Sequence, residues 1–387
     1  MSARAAIYLD SNAGAPLRPE VVEALLPFLQ DSWGVVPNPS SVHGHGRRAR
    51  RALFLAREQV ARSLGSGLDP QSLTFTSSGT EANQLAIRSV LEPMLHSGQR
   101  THWILSAVEH DSVLRCVSWF EARGGTVSYL PVSAEGEFLW ELLPGLLRPE
   151  TALVSIIYVN NETGVISRTP RSVQELLSGR SIPIHWDAAQ AWGKLELDLL
   201  ESGVSFAALS AHKIGALAGT GILWSRVPRD TRASIFGLQE FERRGGTENL
   251  LGAVAAGAAA MALRPLEWAS EVRLSRERLE RKIREKISGA NLQGGKAERI
   301  ANTSNWIFTG IPAGLVPALD LEGYSVSSGS ACSSGVAQPS HVLMAMGRSE
   351  MEAKAAVRIS LGRPLDEATE IQFVDAISRS VDRLRVR

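Results

Sequence analysis

Four short stretches of the 387-residue chain carry side chains whose types and spacing could do chemistry. In SSGTEAN, Ser77 to Asn83, small and hydroxyl residues lead into a helical pattern. Backbone N–H groups and the helix dipole at Gly79 and Thr80 could hold an anion there. In HWDAAQ an apolar run ends on Asp187, a carboxylate that needs a partner once buried. In SAHKIG, Lys213 stands among small and apolar residues, where burial lowers an amine's pKa and makes it a nucleophile for an aldehyde. Ser210 and His212 flank it with a hydroxyl and an imidazole suited to a phosphate. In SSGSACSSG, Cys332 is one of 2 cysteines in the chain, set among glycine, alanine and serine. Taken singly, each stretch has a plainer explanation: a capping turn, an Asp that caps the next segment, a lysine reaching solvent, a linker with an incidental thiol.

Together the parts make a consistent set. A helix N-terminus with Ser and His binds a phosphate, an acid protonates a pyridine nitrogen, and an amine condenses with an aldehyde; these are the groups that pyridoxal 5'-phosphate requires. No G-x-G-x-x-G dinucleotide fingerprint follows any apolar run.

Positioning such groups calls for strand ends. The runs LTFT, HWILSAV, TVSYLPV, ALVSIIYV, IPIHWDA, FAALSA and GILWSR read as strands. Helical stretches such as GTEANQLAIRSVLEPM, DSVLRCVSWFEARG and RSVQELLSG lie between them. Alternation of this kind predicts an α/β fold with a mostly parallel seven-stranded sheet flanked by helices, and ligands outside the carboxyl ends of its strands. Near residue 255 the pattern changes to a long helix interrupted around Pro265, then to a smaller α+β unit that contains the Cys332 loop. The expected division is a large domain over 12–257 and a small one built from 1–11 and 258–387.

Composition removes several classes. A formal net charge of +1 recruits neither nucleic acid nor anionic lipid. The Arg-rich stretches GRRARRALFLAREQVAR and RLSRERLERKIREK have apolar residues at helical spacing and read as amphipathic helices. No apolar run reaches the ~20 residues that span a bilayer, and MSARAAIYLD has no signal-peptide core. With 2 cysteines the chain suits a reducing, cytoplasmic setting. Cys116, at apolar helical spacing, reads as core. His43 and His45 in VHGHG lack partners at metal-ligand spacing, so no metal is expected.

In order and spacing, YLDSNAGAP, NPSSVHGHG, SSGTEAN, VEHDSV, VNNETG, DAAQAWGKLELDL, SAHKIG, GGTEN, SSGSACSSG, PSHVLMAMG and AVRISLGR resemble a cysteine desulfurase of the NifS/IscS type, in the class V aminotransferase group. The resemblance covers nearly the whole chain and implies the type I fold of pyridoxal-phosphate transferases. It implies that Lys213 holds the cofactor as a Schiff base and moves the substrate's α proton. Asp187 would pair with the pyridine nitrogen, Gln190 with the ring hydroxyl oxygen, and His110 would stack on the ring and help move protons. Gly79, Thr80, Ser210 and His212 would bind the phosphate, joined by Thr247 of a second subunit, which makes the enzyme a homodimer. Asn161 and Arg358 would hold the carboxylate of L-cysteine, and Cys332 would take its sulfur as a persulfide, leaving alanine. The sulfur would pass to an acceptor or scaffold protein, for iron-sulfur cluster assembly or tRNA thiolation. Such a carrier has to move, so weak order is expected around Cys332. The stretches DSNAGAP, WGVVPNPSS and IGALAGTG depart from the family's usual residues near the mouth of the site. A selenocysteine lyase is the nearest alternative, because the same attack works on selenium. A class V aminotransferase has no use for a mobile thiol. A non-catalytic scaffold would not keep Lys213, Asp187, His110, Arg358 and Cys332 together.

Overall fold

All seven apolar runs become strands of one sheet. In the computed structural model, β1 (Leu73–Thr76), β2 (His102–Ser106), β3 (Thr126–Leu130), β4 (Thr151–Ile157), β5 (Ile184–Asp187), β6 (Phe206–Ser210) and β7 (Gly221–Ser225) lie in the order β1-β7-β6-β5-β4-β2-β3. Only β7 runs antiparallel to its neighbours. Every residue of β4 is buried, as expected for a central strand covered on both faces. The structure describes residues 6–30, 36–97, 101–328 and 338–385. Cys332, and the expectation of weak order around it, lie outside the described residues.

Helices cover the sheet where the sequence alternates. α1 (Gly44–Arg62) turns Ala49, Leu53, Ala56 and Val60 inward, at the three- and four-residue steps of an amphipathic helix. The arginine-rich stretch is thus a helix face, and its one buried guanidinium, Arg57, pairs with Glu240 at 2.6 Å. α2 (Gly79–His96) follows β1 directly, and α3 (Asp111–Glu121) follows β2. α4 (Leu250–Met261) is built of small residues and packs closely on α1. A Cβ on Gly257 would lie 2.9 Å from the Cα of Ala56. α5 (Pro265–Lys286) starts after a 75° bend, the interruption expected at Pro265. Among the described residues no single helix is long and apolar enough to cross a membrane.

A second, antiparallel sheet contains β8 (Ala290–Gln293), β9 (Thr303–Phe308), β10 (Ser327–Ser328) and β11 (Val357–Ser360), in the order β10-β11-β9-β8. α5 and α6 (Glu367–Arg385) pack together beside it. Its own core gathers Val272, Leu279, Trp306, Phe373 and Ile377, and takes Leu9 from the N-terminus. We infer two units from this separate core; the boundary expected at 257/258 falls inside α4.

One close approach links this frame to the site. β7 begins at Gly221, and a Cβ there would meet the carbonyl carbon and oxygen of Ser78 at 2.2 Å. The obstacle is backbone, which cannot swing aside. Gly221→Ala is expected to cost about 1–3 kcal/mol through forced displacement of the turn before α2. Urea unfolding measures this, and an unchanged midpoint would show that the turn yields freely.

Candidate active site

The chemistry-bearing stretches converge because the strands are parallel. Thr76, Ser106, Asp187 and Ser210 end β1, β2, β5 and β6, so the turns that follow share one edge of the sheet. The turn after β1 caps α2: Ser78 accepts from the Glu81 N–H at 3.1 Å, and Glu81 reaches back to the Ser77 N–H at 2.6 Å. The turn expected to hold an anion is therefore also the capping turn. Gly79 sits against Ser210, where a Cβ would come within 3.2 Å of the Ser210 Cβ. Ser210 Oγ and His212 Nδ1 are 3.0 Å apart. Gly79, Ser210 and His212 thus lie together, with Thr80 in the first turn of α2.

Lys213 lies in a short 3-10 turn, Ala211–Ile214, which Gly215 ends with a φ of 83°. Among the described residues its Nζ does not reach a carboxylate. It donates to the backbone oxygens of Asn12 at 2.5 Å and Ala13 at 2.8 Å. Burial, then the nearby Arg358 guanidinium, lowers Lys213 to about 8, against opposing pulls from Asp10 and Asp187. His212 is lowered to about 4, by burial first and by Lys213 second, and so is neutral near pH 7.

Asn12, buried with 1% exposure, holds this corner together. Its carbonyl oxygen also accepts from Gln190 Nε2 at 2.9 Å. Its side-chain oxygen accepts from Lys194 Nζ at 2.8 Å and Asn302 Nδ2 at 3.2 Å. Its Nδ2 donates to Thr303 Oγ1 at 2.9 Å and to the Asn161 carbonyl at 3.2 Å. One residue of the early segment therefore joins strands and turns that are far apart in sequence.

A second polar chain crosses the sheet edge. Asp187 accepts from Asn83 Nδ2 at 2.8 Å through one oxygen, and from the Ala189 N–H at 3.0 Å through the other. The same Asn83 nitrogen donates to Ser112 Oγ at 2.8 Å, and Asn83 Oδ1 is 3.0 Å from His185 Nε2. Ser112 in turn meets His110: its N–H donates to Nδ1 at 3.1 Å, and its Oγ lies 2.8 Å from that nitrogen. His110 also caps α3. Two side chains thus separate the residue expected on the ring face from the one expected at the ring nitrogen. Beneath them Glu109 is fully buried, and burial raises its carboxyl to about 8 despite bonds from Ser106 Oγ and the Ile157 N–H.

Arg358, on β11, enters from the second unit with 6% exposure. It donates to the Asn161 carbonyl at 2.9 Å and to Asp10 at 2.7 Å, while its Nε has no partner among the described residues. Next to Asn161, burial raises Glu162 to about 7; it accepts from Ser340 Oγ at 2.5 Å. Thr247 is exposed, on the segment that Arg244 ties to Glu81 at 2.9 Å. Sequence reading missed Asp10, Asn12, Asn83, Ser112 and Lys194 as members of this cluster. Lys194 meets Gln190 through the turns around Gly193, so none of the five left a signal in helical spacing.

The donor set fits pyridoxal 5'-phosphate: an anion cradle at one end, a carboxylate held at the other, and a depressed amine between. Above pH 8 the cofactor-free amine is mostly unprotonated, so uptake of pyridoxal phosphate should quicken with pH about a midpoint near 8. Arg358→Leu removes the second cause of the depression and should move the midpoint upward. Stopped-flow absorbance records both, and a pH-independent rate would contradict this assignment of Lys213.

The aminotransferase class-V family matches residues 7–372. A cysteine desulfurase of Trichormus azollae is 40% identical over 384 residues, which span 98% of this chain and 94% of that protein. A NifS-like protein of known structure superimposes with a TM-score of 0.88 at 30% identity, covering 98% of this chain and 100% of its own. The structure of SspA in complex with cysteine matches with a TM-score of 0.80 at 31% identity, over 93% of this chain and 100% of the other. From its strand-end cluster and its likeness along nearly the whole length, the chain belongs to the class V aminotransferase family, within its cysteine desulfurase group.

Proposed function

We propose that the chain removes sulfur from L-cysteine with pyridoxal 5'-phosphate as cofactor, releasing L-alanine and leaving a persulfide on Cys332. The observation that carries this reading is the position of Lys213, partly buried in the turn that follows Ser210, beside the Gly79–Ser210–His212 corner and on the same sheet edge as Asp187. Gly79, Thr80, Ser210 and His212 would hold the phosphate, Asp187 the pyridine nitrogen, Gln190 the ring hydroxyl, and Lys213 the aldehyde carbon. When bound, the cofactor supplies an electron sink beside the substrate's α carbon.

The chain's own groups supply the rest. Lys213 Nζ accepts and returns the α proton, a task suited to an amine that titrates near neutral pH. His110, its Nδ1 engaged by Ser112, presents its ring to the cofactor face. Arg358 offers a planar fork to the substrate carboxylate, which would compete with Asp10 for the guanidinium, and Asn161 lies beside it. The Cys332 thiolate attacks the substrate sulfur: an S–S bond forms, the C–S bond breaks, and the carbon takes up a proton to become alanine's methyl group. The thiol proton balances that uptake, so no outside oxidant or reductant is consumed.

A second copy of the chain completes the site in this reading. Phe236, Leu238 and Phe241 are 89%, 81% and 53% exposed on the segment that leads to Thr247, an apolar surface that a partner subunit would cover. From there Thr247 would reach the partner's phosphate. The persulfide passes to an acceptor protein, in iron-sulfur cluster assembly or tRNA thiolation, and the 2 cysteines fit a reducing cytoplasm.

Purified protein given L-cysteine and a reductant should yield alanine and sulfide in equal amounts. Cys332→Ser should lower alanine formation by roughly a hundredfold or more, the scale on which loss of a nucleophile acts. Alanine release unaffected by that substitution would refute the persulfide step. Lys213→Ala should not retain a cofactor that borohydride fixes in the wild type.

A further inference from the structure

Lys194 is a buried lysine that the proposed reaction leaves unused. It is 5% exposed, and its Nζ donates to two neutral amide oxygens, Gln190 Oε1 and Asn12 Oδ1. A lysine nitrogen donates where a carboxylate would accept, so it sets which end of each amide faces it. Gln190 must turn its oxygen towards Lys194 and its NH2 away. The structure shows that outcome: Gln190 Nε2 donates to the Asn12 carbonyl oxygen at 2.9 Å. Lys213 Nζ donates to the same oxygen at 2.5 Å. The amide donor and the candidate Schiff-base amine therefore stand side by side, sharing one acceptor.

That placement has a chemical meaning. In pyridoxal phosphate the ring hydroxyl is on the carbon next to the one that bears the aldehyde. A donor that shares an acceptor with the aldehyde-binding amine therefore lies beside the hydroxyl oxygen. We propose that Lys194 is a positioning residue, which locks the Gln190 amide with Nε2 turned towards Lys213, so that the amide donates to the ring hydroxyl oxygen of the bound cofactor. This rests on the cofactor reading given above. Burial, then Lys213 and Arg358, hold Lys194 well below the ordinary lysine value. Charged or neutral, its nitrogen still donates, so the effect runs through the amide. The charged neighbours are Lys213 and Arg358 around Lys194, with Asp10 and Asp187 around Lys213.

The test compares wild type, Lys194→Met, Gln190→Leu and the double variant, each loaded with pyridoxal phosphate. The readout is the pH midpoint of the bound cofactor's visible absorbance, not turnover. A donor on the hydroxyl oxygen stabilises its anion and favours loss of the neighbouring proton, so its removal raises the midpoint. Each single variant should shift it upward by about one pH unit, the size of one hydrogen bond to an anionic oxygen. The double variant should shift no further than Gln190→Leu alone. An unmoved midpoint in Lys194→Met, or shifts that add in the double variant, would overturn the route through Gln190. An unmoved Gln190→Leu would overturn the amide's contact with the ring, and a wild type that never colours would instead sink the cofactor reading. If Lys194→Met does not fold, Lys194→Leu carries the test, because it removes the donor in the same way and leaves the Gln190 amide free to turn. A raised midpoint then supports the proposal, and an unchanged one overturns it.

Discussion

A lysine nitrogen held away from water by carbonyl oxygens, with no carboxylate in hydrogen-bond contact, is the constraint on which this structure turns. Lys213 has Asp10 and Asp187 within electrostatic reach, yet its hydrogen bonds go to the backbone of Asn12 and Ala13. Carbonyls satisfy the donors and bring no net charge, so desolvation prevails and the amine titrates near pH 8. A salt bridge in the same place would have fixed the proton.

The early segment must therefore be held where those carbonyls are needed. Tyr8 donates its hydroxyl hydrogen to the backbone oxygens of Asp10 and Gly14, both at 2.9 Å. The Ala15 N–H donates to the His212 carbonyl at 2.9 Å, beside the lysine itself. On the other side the Asn12 N–H reaches Ser360 Oγ at 3.0 Å, and Arg358 grips Asp10. Both cores of the molecule thus press on a few N-terminal residues, and the depressed amine depends on both.

Neutrality recurs around the amine. His185 and His212 are lowered to about 4, Glu109 is raised to about 8, and burial is the first cause each time. Asn83 and Ser112 carry contact from Asp187 to His110 as uncharged relays. In a desolvated pocket, uncompensated charges are costly, and these groups around Lys213 lose theirs.

Much of this was legible in the residues. Apolar runs of four to eight residues bounded by turn residues located all seven strands, because six of them are buried throughout and leave a local signature. Small residues around Lys213 foretold its low pKa, and the capping turn read in SSGTEAN is there, with Ser78 as the N-cap of α2. Cys116 is buried in the core, as its helical spacing indicated. Asn12, Asn83 and Ser112 left no such mark. Their value lies in partners about 30 to 350 residues away, and an asparagine in a turn looks the same whether it faces water or two lysines. The sequence by itself determined the strands, the turns at their ends and the reactive side chains, since periodicity and capping act over a few residues. Only the tertiary structure decided which carbonyls the amine meets and that Asn12 joins Lys194, Gln190 and Lys213, because those hydrogen bonds join segments that meet only once the sheet and the second core are assembled.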